Sequence, residues 1–164
     1  MSLGLATERT KEAVEIDPMV EFKKGVELLK NDYPKKAVVR LRRAFECDQH
    51  NPYYISFLGL SIARAHRKWV QAYELCEIAV QLKPTEIQFH LNLGEVYASA
   101  GLREKALDKL DDALERFGDD FRLKQARSKV ENRRNPIFPF FRREHFLNRE
   151  LGRLRHRALK GLGK

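Results

Sequence analysis

Five histidines, two cysteines and a run of acidic side chains are the groups in this 164-residue chain best able to do chemistry. Metal binding needs several His, Cys or carboxylate groups at a spacing that brings them to one point. His50 and His66 fall at the ends of apolar-periodic stretches, His90 takes a packing position within one, and His145 and His156 belong to a basic tail. None has a second ligand at metal spacing, and there is no His-Glu-x-x-His. Asp108, Asp111, Asp112 and Glu115 cluster, but Lys105 and Lys109 are interleaved with them, the pattern of a solvated helix face. Cys47 and Cys76 lie inside apolar helical patterns, where reduced, buried and inert thiols are expected. No Ser or Cys nucleophile has a visible base partner. Gly161-Leu162-Gly163-Lys164 has a faint likeness to a phosphate loop but lacks its Ser/Thr and following helix. The sequence therefore predicts no catalytic residue, no metal ligand, no cofactor and no small-molecule substrate.

The elements that would position any site repeat along the chain. Gly25, Gly59 and Gly94 stand 34 and 35 residues apart. Twelve residues after Gly25 and Gly94 come Ala37 and Ala106, and thirteen after Gly59 comes Ala72. Each alanine is followed at +4 by Leu41, Cys76 or Leu110, and at +7 by Ala44, Ala79 or Ala113. Small residues on facing helices let two backbones approach closely, and larger ones between them fill the space. One such helix pair cannot bury its apolar face alone, so neighbours must stack. Helix pairs are predicted at about 19–31 and 35–47, 53–66 and 69–82, and 86–99 and 103–117. Pro52 and Pro84 mark the joints between pairs. A short helix near 5–16 is predicted to precede them. A capping helix at 120–133, with Phe121, Leu123, Ala126 and Val130 on one side, is predicted to follow.

The segment Leu93-Gly94-Glu95-Val96-Tyr97, with Gly101 and then Ala106, Leu110 and Ala113, resembles the tetratricopeptide repeat (TPR). Leu58-Gly59 and Ile62 with Ala72, Cys76, Ala79 and Pro84 form a second copy with one extra residue in its turn. Gly25 and Leu28 with Ala37, Leu41 and Ala44 form a third. Glu21, Ile55 and His90 stand where the family usually has Trp. Asp32 and His66 replace the glycine of the first turn, which predicts strain in two of three intra-repeat turns. The resemblance implies an all-α fold: a right-handed α-α superhelix with a capping helix and a basic C-terminal helix. Residues 1–134 would form the TPR domain, with repeats at about 18–51, 52–86 and 87–120.

The resemblance further implies a protein-binding scaffold whose first helices line a concave groove. The predicted lining is Phe22, Val26, Leu29 and Lys30 in the first repeat. Tyr53, Ser56, Phe57, Leu60 and Arg64 come from the second, and Gln88, Leu91, Asn92, Glu95 and Ser99 from the third. An apolar stripe of this kind suits a peptide or helix with hydrophobic anchors, or else packs against other parts of the same chain. TPR domains that clasp the acidic C-terminus of cytosolic chaperones use Lys, Asn or Arg at five groove positions. The matching residues here are Phe22, Val26, Phe57, Gln88 and Asn92, which speaks against such a carboxylate clamp. Bacterial type III secretion chaperones are a second resemblance, in length and layout but not in the basic tail.

Charge is distributed unevenly. Apolar residues make up 43 % and charged residues 34 % of the chain, as in a soluble globular protein. Residues 1–120 hold 18 Lys and Arg against 20 Asp and Glu, whereas residues 121–164 hold 14 against 3. The whole net charge of +9 thus comes from the last quarter. There, Asn-Pro-Ile-Phe-Pro-Phe-Phe over 135–141 breaks the helical pattern and is too apolar to be left in water. It is expected to pack on the protein's own flank or groove, with docking onto a second copy or a partner as the alternative. Beyond it, Leu147, Leu151, Leu154 and Ala158 share one helical face. Arg142 and Arg143 open this stretch, and Arg149, Arg153, Arg155, Arg157 and Lys160 lie mainly away from the apolar face. Such a helix packs on another helix, or meets an anionic membrane or nucleic acid. With no apolar run near the roughly 18 residues that span a bilayer, and no signal-like leader, the expectation is a cytoplasmic, bacterial adaptor.

Overall fold

The computed structural model describes residues 17–132, which form seven α-helices. These are α1 (Pro18–Lys30), α2 (Pro34–Cys47), α3 (Pro52–His66), α4 (Trp69–Leu82), α5 (Ile87–Ala100), α6 (Arg103–Phe117) and α7 (Phe121–Glu131). The helix predicted near 5–16, the segment 135–141 and the basic stretch from Arg142 to Lys160 lie outside the described residues.

Local sequence accounts for the helix ends. Pro18, Pro34 and Pro52 occupy first-turn positions, where a missing N–H costs nothing and φ is already helical. Asp17 accepts from the Met19 and Val20 amides at 2.8 and 3.3 Å, and Asp120 caps α7 through Arg122 and Leu123 at 2.8 and 3.3 Å. Arg122 beside Asp120 is the chief reason its carboxyl titrates below the usual carboxylate range. Gly101 ends α5 in the left-handed region at φ 86°. In the first turn Asp32 takes that role at φ 60°, as predicted. In the second the strained residue is Arg67 at φ 55°, not His66. The extra residue of this repeat prolongs α3 by one position and moves the turn with it.

Adjacent helices pack throughout, and α1 meets α3, α3 meets α5, and α5 meets α7. Among the described residues α2, α4 and α6 do not meet one another. The layer whose helices touch lies on the inside of the curve, so α1, α3, α5 and α7 form the concave wall. Ala37, Ala44, Ala72, Ala79, Ala106 and Ala113 are all fully buried in the seam between layers. Their small size lets the glycines approach. A Cβ at Gly59 would stand 2.7 Å from the Ala72 carbonyl oxygen, and one at Gly94 2.9 Å from Leu110 Cδ2.

The three family-Trp positions are filled by different means. Ile55 is simply buried. His90 is buried with Nε2 3.0 Å from the Pro84 carbonyl and its ring edge-on to Phe117. Glu21 is nearly buried and accepts from Arg40 at 2.8 Å, with Arg43 at 3.7 Å. Two expectations are corrected. Cys47, the last residue of α2, is exposed while Cys76 is buried. Phe121 is 74 % exposed, because two residues along a helix is more than half a turn from Leu123 and the other buried face residue, Val130.

Candidate interaction surface

Alignment on the three glycines places the inner-wall residues in register. Three residues before them stand Phe22, Ser56 and Leu91; one after them, Val26, Leu60 and Glu95; five after them, Lys30, Arg64 and Ser99. Six before them stand Met19, Tyr53 and Gln88.

The structure divides this set into three groups. Phe22, Val26, Phe57 and Leu91 are half-buried, with one side packed on the main core. Phe22 meets Phe57 edge-to-face with ring centroids 5.4 Å apart, and Tyr54 at 5.2 Å, an arrangement aromatic rings favour. Leu29, Ser56, Leu60 and Asn92 are buried and serve the joint between helices. Asn92 donates to Ser56 Oγ at 2.9 Å and accepts from Gln88 Nε2 at 2.9 Å, so two buried polar groups satisfy each other across α3 and α5. Lys30, Arg64 and Ser99 are exposed, with half-buried Glu95 beside them.

An ion pair closes the apolar patch at one end. Arg64 reaches Glu95 at 2.6 Å and donates to the Leu29 carbonyl at 3.2 Å, so one guanidinium ties α1, α3 and α5 together. At the joint between α4 and α5 the Tyr53 hydroxyl donates to Glu86 at 2.6 Å and accepts from Lys83 at 2.8 Å. That bond to Tyr53 is the main reason the Lys83 ammonium is held above its usual value. Tyr53 also packs edge-on to Phe89 at 4.9 Å, which turns it to the joint before α5 rather than to the open wall. Met19, 46 % exposed, is a residue the sequence reading passed over. Counting six back from Gly25, as from Gly59 to Tyr53, would have found it. Chemically the surface can receive apolar side chains beside the Arg64–Glu95 pair. Among the described residues no three His, Cys, Asp or Glu side chains come together as a metal site.

No family model matches the sequence, and no curated protein matches it. Solved structures do. The first TPR domain of Spaghetti (RPAP3), bound to the HSP90 peptide SRMEEVD, is 19 % identical with a TM-score of 0.58, covering 70 % of this chain and 92 % of that one. The Sgt2 TPR domain from Aspergillus fumigatus is 16 % identical with a TM-score of 0.60, covering 70 % and 76 %. The second TPR domain of human RPAP3, in complex with the HSP70 peptide SGPTIEEVD, is 16 % identical with a TM-score of 0.58, covering 71 % and 100 %. With its three glycine–alanine helix pairs over about residues 18–120, the chain is a tetratricopeptide repeat protein in fold.

Proposed function

We propose that the concave wall is a docking surface for a segment of another protein, held through apolar anchors on Phe22, Val26, Phe57 and Leu91. The observation that carries this reading is the placement of four half-buried apolar side chains over three inner helices, bounded at one end by the Arg64–Glu95 pair. Two structural neighbours hold peptides, which supports peptide binding on this architecture. Both of those peptides end in Glu-Val-Asp. Here Arg64 already serves Glu95, and the centre of the wall is aromatic and aliphatic, so an apolar segment fits better than an acidic terminus.

Peptide display on the full chain tests the reading. Selection should return sequences with two or three large apolar residues, and Leu91→Asn should weaken their binding by about tenfold, the loss of one buried aliphatic anchor. Enrichment of acidic C-termini, or binding indifferent to Leu91→Asn, overturns it. A second reading rests on the charge of residues 121–164, 14 basic against 3 acidic, which favours an anionic surface or nucleic acid as a further partner. Its mark is retention on a polyanion that disappears as salt rises.

A further inference from the structure

The outer layer carries a second apolar surface, independent of the concave wall. α4 buries Ala72, Cys76 and Ala79 and turns Val70, Glu74, Ile78 and Leu82 outward. Their spacing of four residues makes one stripe along the helix. Val70, Ile78 and Leu82 are 57, 44 and 52 % exposed. α4 has no Lys or Arg; its charges are Glu74 and Glu77, and Glu77 accepts from the Tyr97 hydroxyl. The exposed positions of α6, in contrast, are all charged. A helix face meant for water resembles α6. The α4 face has the composition of one that is covered.

We infer that the stripe is the seat of the chain's own segment 147–158. At helical spacing Leu147, Leu151, Leu154 and Ala158 would share one face, with Arg155 and Arg157 at its edges and Arg149 and Arg153 behind it. Were 147–158 helical, as its periodicity predicts, its eleven steps would span about 17 Å, against about 18 Å for the twelve from Val70 to Leu82. Charges favour the pairing as well: Arg155 and Arg157, against the single Glu150, border one stripe, and the other has a carboxylate, Glu74, on a helix without Lys or Arg. The chain can reach. Arg103, at the start of α6, donates to the carbonyls of Val130 and Glu131 at 3.3 and 2.9 Å, so α7 ends beside the start of α6. Parallel outer helices put Val70, at the start of α4, on that same end. α5 touches both α7 and α4, so two interhelical steps of about 10 Å separate them. The fifteen residues from Asn132 to Leu147 can extend about 50 Å. A second copy fits less well. Two-fold pairing of the stripe with itself would bring both Glu74 side chains near the axis, with no cation on either helix.

Photocrosslinking of the full chain tests the assignment. With p-benzoylphenylalanine at position 78 in dilute protein, crosslinks should form within one chain and map to residues 144–161. Leu151→Asp with Leu154→Asp should lower their yield about tenfold, through loss of the apolar face. Glu74→Lys, a change at an exposed position that leaves the core untouched, should lower it severalfold by charge repulsion. Crosslinks that map elsewhere, form only between chains in proportion to concentration, persist unchanged in both variants, or fail to form would each overturn the inference. Binding of apolar peptides to the concave wall is read separately, so failure of one proposal leaves the other standing.

Discussion

The middle and last repeats carry the same glycine–alanine seam, yet they fill it differently. In the middle repeat Gly59 faces backbone, the Ala72 carbonyl oxygen, together with Cys76 Sγ. In the last repeat Gly94 faces only side-chain carbons of Leu110. Cys76 stands where the other repeats have Leu41 and Leu110, and its smaller volume accompanies the closer approach of α3 and α4. The outer faces diverge further, apolar on α4 and charged on α6. Steric demand keeps the seam alike between repeats, whereas positions outside the seam vary freely enough to acquire a partner.

The largest separation between the repeats should come from adding one methyl group. Gly59→Ala places a carbon 2.7 Å from a carbonyl oxygen that cannot swing aside. Overpacking of this kind costs about 1–3 kcal/mol, against a helix-propensity gain of about 1 kcal/mol. A net loss of up to about 2 kcal/mol is expected in urea unfolding. At Gly94 the neighbours are side-chain carbons of Leu110, Cγ and Cδ2 both at 2.9 Å, which give way more readily than backbone, so Gly94→Ala should lose less, about 1 kcal/mol or below. Equal losses would show that the two seams are equally tight.

Cys76 offers a second contrast, both in packing and in chemistry. Replacement by Leu, the residue of the other repeats, should overfill the tight seam and cost about 1–2 kcal/mol. Burial pushes the Cys76 thiol well up, so it stays protonated through the mildly alkaline range. Exposed Cys47 should therefore react with a thiol reagent at once, and Cys76 only as the protein opens. Rapid modification of both thiols in the folded protein would break the comparison.

These contrasts also mark what was legible beforehand. The period was readable because Gly25, Gly59, Gly94 and the six seam alanines sit where any larger residue collides, so residue type alone reports position. All seven helices of the described region lie within two residues of the predicted bounds for the same reason, helped in α1, α2 and α3 by a proline start. The inner wall was harder. α3 is enclosed by α1, α2, α4 and α5, and its buried arc is too wide for periodicity to separate Ser56 and Leu60 from Phe57. Asn92 reads as a surface amide until its bond to Ser56 is seen. Periodicity does not single out the α4 stripe, because that helix carries apolar residues on its buried and exposed sides alike.

The smallest expected effect lies in the turns, where the added residue of the middle repeat can be tested directly. Gly101 adopts φ 86° without a Cβ to object, whereas Arg67 holds φ 55° with one. A side chain in that region costs about 1–2 kcal/mol relative to glycine, partly offset by the greater freedom glycine has when unfolded. Arg67→Gly should therefore raise stability by up to about 1 kcal/mol, and Gly101→Ala should lower it by a similar amount. The two changes act in opposite directions on turns that do the same work. If both destabilise, Arg67 contributes contacts that outweigh its backbone strain, and the second turn is then shaped by its side chain rather than in spite of it.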